Sequence, residues 1–201
     1  MTLLTQPPTL ADQVAAALER SSERHTRLCP RQVLGVRMGL AGIAILGRSS
    51  LEGERGVLSF IETDGCFADG IEAASGCSVG HRTMRLQDCG RVAATFVDIA
   101  SGRAVRIAPR SDARTRAAVL VPGEPRHYYA QLQAYQVMPL DELFRVEDVE
   151  LQFDLAALVG RGGLRVDCAS CGEEVINGRE QYMASGALCP MCAGGAYYRP
   201  R

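Results

Sequence analysis

The stretch RVAATFVDIASGRAVRIAP, residues 91–109, holds two β-rich runs on either side of Ser101-Gly102. Branched and aromatic side chains favour extended backbone, and a serine–glycine pair supplies the tight reversal between them. The stretch predicts a hairpin, and with it an antiparallel sheet. Just upstream, GVLSFIE (56–62) reads as a further strand and FADGIEAASG (67–76) as a short helix ended by Gly76. Downstream, helical patterns at about 111–119 and 126–137 are separated by VPGEP, and FRVEDVELQF (144–153) is extended or mixed.

Two helices are expected before the first strand. Thr9 followed by Asp12 resembles a capping box. Small or apolar residues then recur at Leu10, Val14, Ala17, Leu18, Ser21, His25 and Leu28. That stripe puts His25 on the inward face if the helix runs so far. Pro30 disfavours helical backbone at Cys29 but is tolerated at a first helical position, so a second helix starts there and runs to about Gly47. It is apolar nearly all round and therefore buried. Gly35, Gly39 and Gly42 lie on or beside one face and let another backbone come close. Cys29 is then the cap residue, where the helix dipole favours a thiolate.

Composition narrows the class. A chain of 201 residues, 47% hydrophobic, suits one domain or a core with a small appendage. A net charge of −1 does not steer the whole protein toward nucleic acid or anionic membrane. All 22 basic residues are arginine, and they are scattered. The opening MTLLTQPPTLADQV lacks the basic start and apolar run of a secretory signal. The most apolar run, VLGVRMGLAGIAILG (33–47), is too short to span a bilayer and carries Arg37. These features predict a soluble cytoplasmic protein whose eight cysteines are metal ligands or reactive thiols rather than disulfides.

Beyond GRGG (160–163) the composition shifts to cysteine, glycine and short turns, so a core of residues 1–160 and a tail of 161–201 are expected. In the tail, CASCGEEVINGREQYMASGALCPMC (168–192) spaces Cys168-x2-Cys171 from Cys189-x2-Cys192. Two such knuckles supply four thiolates to a tetrahedral zinc, one per chain. Four thiolates leave no open position, so this zinc is structural. A tail so short has little core of its own, and the metal stabilises it directly. Four arginines balance four acidic residues between Arg165 and Arg201, which argues against a nucleic-acid finger, although Tyr197 and Tyr198 have rings that can stack.

Cysteines in the core sit beside chain breaks or glycines: HTRLCPR (25–31), ETDGCFADG (62–70) and ASGCSVGH (74–81). Cys89, in LQDCGR (86–91), shares that setting without nearby ligand types. The order His-x3-Cys-Pro, Glu-Thr-Asp-Gly-Cys-x2-Asp, Ser-Gly-Cys-Ser-x-Gly and Asp-x-Gly-Arg before a hairpin resembles the E-subunit family of formylmethanofuran dehydrogenase (FmdE) over about residues 20–201. MPLDELFRVEDVEL (138–151) and the CASCGEEV tail resemble its longer members. The resemblance implies an α+β fold, with helices packed on a mainly antiparallel sheet, plus a small C-terminal treble-clef or zinc-ribbon domain. It also implies a metal-associated core pocket and homodimers. The family takes its name from a molybdenum or tungsten enzyme of one-carbon metabolism, so a redox-enzyme partner belongs to the same expectation.

Against the family's usual His-x-His-x-Cys-Pro-Gly, this chain keeps His25 and Cys29 but has Arg27 for the second histidine and Arg31 for the glycine. His81 stands where lysine is usual. A guanidinium repels a cation, so an inward Arg27 would turn the pocket toward anions. His25, Cys29, Cys66 and Cys77 are the candidate core ligands or reactive thiols, for a second metal of unknown identity. Asp64 and Asp69 are expected to cap turns or orient neighbours, and His127 to lie on a helix surface. Three functions compete. The first is a zinc-binding accessory or small-ligand protein linked to molybdenum- or tungsten-type redox or one-carbon metabolism. The second is an enzyme whose core metal is held by Cys29, Cys77 and a histidine, with Glu62 or Asp64 as base. The third is a zinc-finger regulator that binds nucleic acid.

Overall fold

The expected hairpin is the middle of a five-stranded sheet. In the computed structural model, which describes residues 8–23, 25, 27–48 and 56–199, strand β1 is Val57–Ile61, β2 Met84–Leu86, β3 Ala94–Asp98, β4 Ala104–Pro109 and β5 Phe144–Val149. Their order is β2-β1-β3-β4-β5. β3 and β4 pair antiparallel with Phe96 opposite Val105 and Thr95 opposite Arg106. The reversal is built by Asp98, whose Oδ1 accepts the backbone N–H of Ala100 (2.8 Å) and Ser101 (2.9 Å), while Gly102 takes φ +73°. FRVEDV is a strand throughout, antiparallel to β4.

Two capped helices precede the sheet. Helix α1, Leu10–Ser22, opens with the Thr9–Asp12 capping box. It ends three residues before His25, where the Ser22 hydroxyl bonds back to the Leu18 carbonyl at 2.7 Å. That bond competes with continuation of the helix. Helix α2, Pro30–Ile45, starts at the predicted proline with Cys29 as its cap. Helix α3, Cys66–Ser75, lies between β1 and β2 and ends at Gly76. This strand–helix–strand crossover makes β1 and β2 parallel, the one parallel pair among the described strands of this sheet. The three-residue β2 carries too few residues for its period to be read from sequence.

Helices α2 and α3 meet backbone to backbone. A Cβ on Gly35 would overlap the Phe67 carbonyl oxygen, and one on Gly70 would overlap that of Gln32. Gly42 faces the ring of Phe96 rather than a backbone, so it seats α2 on the sheet. Val33, Val36, Met38, Phe67, Ile71, Phe96, Val105 and Ile107 fill the space between. Helices α4 (Ala113–Leu120), α5 (His127–Val137) and the short α6 (Leu140–Leu143) follow β4. Among the described residues no helix is long and apolar enough to cross a membrane; the leader expectation rests partly on residues 1–7, outside that description.

Contacts divide the chain into Met1–Glu150 and Leu151–Arg201, a boundary ten residues ahead of GRGG. The second unit holds α7 (Leu155–Gly160) and two hairpins, β6 (Arg165–Asp167) with β7 (Glu174–Ile176) and β8 (Gln181–Met183) with β9 (Gly186–Leu188). Its small core is Cys168, Val175, Leu188 and Cys189.

Candidate functional site

In the tail unit the first knuckle is the turn of the β6–β7 hairpin. The Gly172 N–H returns to the Cys168 carbonyl at 2.9 Å, and Gly172 sits at φ +76°, where a side chain would be strained. The Ala169 N–H donates to the Ala187 carbonyl (2.8 Å), which brings β9, and Cys189 just after it, beside that turn. The second knuckle enters a five-residue helical turn, Met191–Gly195. The ligand sulfurs of Cys168, Cys171, Cys189 and Cys192 all lie within 4.8 Å of one another. Cys171 and Cys189 are 4.0 Å apart, close to the ~3.8 Å edge of a tetrahedron with 2.3 Å bonds. Backbone N–H groups already point at sulfur, Cys189 N–H at Cys168 Sγ (3.3 Å) and Cys192 N–H at Cys189 Sγ (3.4 Å). Backbone hydrogen bonds from Cys171 and then Cys189 hold the Cys168 thiol down to about 6, so it enters as a thiolate near neutrality. This donor set fits a closed metal site.

In this unit Arg165 Nη1 pairs with Glu174 across the hairpin at 2.7 Å. Tyr197 and Tyr198 are exposed and stack edge to face on each other.

In the core unit, Cys29 and Cys66 both line a cavity of about 810 Å³. Each stands at a helix start. Cys29 Sγ accepts the Gln32 N–H (3.4 Å), and the buried Gln32 amide donates on to Ser21 Oγ (2.6 Å), which ties α2 to α1. Cys66 is the first residue of α3, after Gly65 at φ +78°. Its sulfur lies 4.0 Å from His25 Nδ1, and His25 Nε2 lies 2.7 Å from Asp69 Oδ2. Burial, then the hydrogen bond that Cys66 donates to Cys29, push the Cys66 thiol up. Asp69 orients a neighbour, as its sequence position suggested.

Other sequence candidates lie elsewhere. Cys77 is buried in the apolar core and donates to the Val57 carbonyl at 3.6 Å, and burial pushes its thiol up. It does not line the cavity with Cys29. His81 is exposed with Nδ1 against Ser78 Oγ (3.0 Å), Asp64 and His127 are exposed, and Cys89 is exposed beside Arg91. Glu62 is clamped: Arg106 donates to both its oxygens (2.7 and 3.0 Å), and Arg91 adds an ion pair at 2.7 Å. The Arg106 hydrogen bonds hold its carboxyl below the usual range, the wrong direction for a base. Among the described residues the tail cysteines are the one group of three or more His, Cys, Asp or Glu ligand atoms gathered closely enough for a metal. Of the candidate core ligands, Cys77 faces away into the core, while His25 has Nε2 held by Asp69 and Nδ1 facing Cys66. Arg27 is exposed, while Arg31 lines the cavity.

Sequence reading did not find Arg110, Arg114, Tyr128 and Gln131, which complete the cavity wall from after β4 and from α5. They carry no motif and become neighbours of Cys29 only through folding. The Tyr128 hydroxyl donates to the Leu28 carbonyl at 2.9 Å and fixes that wall against the segment carrying Cys29.

Three comparisons bear on kinship. A family model named FmdE, described as "Molybdenum formylmethanofuran dehydrogenase operon", matches residues 24–145. A protein of Archaeoglobus fulgidus named "Probable S-adenosyl-L-methionine-binding protein" is 33% identical over 94 residues, 45% of this chain. The match spans 25% of that relative's length. The crystal structure of a tungsten formylmethanofuran dehydrogenase FmdE-like protein from Syntrophus aciditrophicus superposes with a TM-score of 0.59 at 17% identity, over 92% of this chain and 95% of that one. That likeness is one of fold.

Proposed function

Because this chain belongs to the FmdE family, we propose that it is a zinc-holding accessory protein that takes a small ligand in its thiol-lined core cavity. It works beside a redox enzyme of the molybdenum or tungsten type, or in one-carbon metabolism. The observation that carries this reading is the pairing of a closed four-thiolate site in the tail with a separate cavity onto which Cys29 and Cys66 open. The tail metal is zinc, for which four thiolates in a tetrahedron are the preferred set, and its role is structural. The order knuckle, hairpin, second knuckle and helical turn supports a treble-clef type of finger. A cytoplasmic location and a homodimer belong to the same reading. The glycine face of α2, open by sequence to another backbone, is occupied by α3 and by Phe96 of the same chain. The dimer therefore rests on kinship.

Metal content per chain, by elemental mass spectrometry on protein purified without added metal, tests the first part. The full chain should hold one zinc, and Cys168→Ser with Cys171→Ser should hold none. Two metals per chain, one surviving the double substitution, would instead favour the core-metal enzyme. Light scattering on the eluting full chain measures the dimer directly.

A further inference from the structure

Asp69, His25 and Cys66 form a relay that ligand binding alone does not use. With Asp69 Oδ2 at 2.7 Å, the His25 Nε2 carries the proton and donates it to the carboxylate, which leaves Nδ1 as the acceptor facing the Cys66 sulfur at 4.0 Å. A nucleophile within reach of a base, itself oriented by a third group, is the arrangement nucleophilic catalysis needs. Cys66 also opens the ten-residue α3, whose first turn has no side-chain cap, so its N–H dipoles and the His25 acceptor work against the burial that holds the resting thiol up.

The cavity supplies the substrate class. Arg31, Arg110 and Arg114 line it, and no carboxylate does. Arg110 leans at 3.3 Å on Asp112, which Arg116 holds more closely at 2.8 Å. Arg31 and Arg114 are exposed and, like Arg27 and Arg161, make no side-chain hydrogen bond or ion pair among the described residues, so their guanidiniums are open to a ligand. Guanidiniums gathered in a concave site whose lining holds no carboxylate select an oxyanion. Pro30, Leu34 and Val92 give the same wall an apolar side, which suits a small organic body carrying that anion.

We propose that Cys66 is a nucleophile, with His25 as its base and Asp69 as positioning residue, acting on a small electrophile whose carboxylate or phosphate is held by Arg31, Arg110 and Arg114. The sulfur gives its proton to His25 Nδ1 and forms the bond to the electrophilic carbon. The leaving group departs with its bonding pair, and the proton passes from His25 to it or to water. The inference rests on the cavity of the preceding reading.

Alkylation of the full, zinc-loaded chain tests it, with iodoacetate as the anionic probe and iodoacetamide as the neutral one. Peptide mass spectrometry follows each cysteine separately. Here the products are carboxymethyl-Cys66, iodide and one released proton. Cys66 should react with saturation by iodoacetate, and its iodoacetate-to-iodoacetamide rate ratio should exceed that of a free thiol peptide by about tenfold. His25→Asn should lower the limiting rate at least about tenfold without moving the half-saturating concentration. Asp69→Asn, nearly isosteric, should act in the same sense and covers the case in which the histidine variant does not fold. Arg31→Gln with Arg114→Gln should raise the half-saturating concentration and leave the limiting rate. Inorganic phosphate and acetate as competitors separate a phosphate site from a carboxylate one. Unchanged Cys66 rates in folded Asp69→Asn and His25→Asn would overturn the nucleophile and leave the cavity standing. A linear concentration dependence with no preference for the anion would overturn the cavity, and with it the ligand-binding reading.

Discussion

Arg37 is 3% exposed among the apolar residues of α2, and it is tolerated because its guanidinium is fully employed. It donates to the carbonyls of Tyr135 (2.8 Å), Gln136 (2.9 Å) and Met138 (2.7 Å), the last turn of α5, where the helix dipole is negative. Arg37→Met preserves the apolar stem but strands those acceptors, and should cost about 3 kcal/mol or more, read as a lower urea midpoint at unchanged slope. Arg37→Lys should recover only part, since an ammonium cannot span three carbonyls. Asp98 gives a pH signature. The Arg48 hydrogen bond at 2.7 Å, then the Ser101 N–H, hold its carboxyl down to about 2 from 3.8. A depressed folded value stabilises the native state fully above the unfolded value and loses that contribution as pH falls through about 2. The shift is worth on the order of 2 kcal/mol. Asp98→Asn should therefore flatten the acid limb of the stability curve between about pH 4 and 2, measured by urea melts at each pH. Arg37 was visible in the sequence as a charge in an apolar run, but its acceptors lie about a hundred residues away.

The α2–α3 contact is where small residues decide an element's position. Alanine is intrinsically the better helix former at Gly70 by about 1 kcal/mol. In place its Cβ would overlap the Gln32 carbonyl and crowd the Val36 nitrogen and Gly35 Cα. Backbone cannot yield as a side-chain tip can, so Gly70→Ala should destabilise by about 1–3 kcal/mol, seen as a lower melting temperature. It should also displace Cys66 and His25 from each other, because α3 carries Cys66 and Asp69 together. At this scale much was legible. The capping box at Thr9, the start at Pro30, the stop at Gly76 and the β3–β4 hairpin follow from local chemistry and stand as read. The parallel β2 and the early end of α1 were not. The first is fixed by a crossover, the second by one serine hydroxyl.

For the whole molecule, the four tail sulfurs are separated in sequence into two knuckles, which two short hairpins and a core of four residues bring within reach of one ion. Removing the metal with a chelator at neutral pH should abolish hydrogen-exchange protection in residues 165–192, since so small a core cannot repay the chain entropy alone. Restoring zinc should return it. Four cysteines at paired spacing made this site readable without coordinates, because knuckle geometry is local. The core site is the opposite case. Its chain order of histidine, cysteine and aspartate was readable, and so was the departure at Arg27 and Arg31.

By itself the sequence determined helix starts and stops, the hairpin and the paired cysteine knuckles, all of which depend on residues a few positions apart. Only the tertiary structure decided that Cys77 belongs to the apolar core, that Glu62 is clamped by arginines, and that Cys66 meets His25 at the edge of a cavity lined by arginines. Those assignments turn on which side of a helix faces which wall, and that is set by the packing of α2 on α3 and on the sheet rather than by any local preference of the chain.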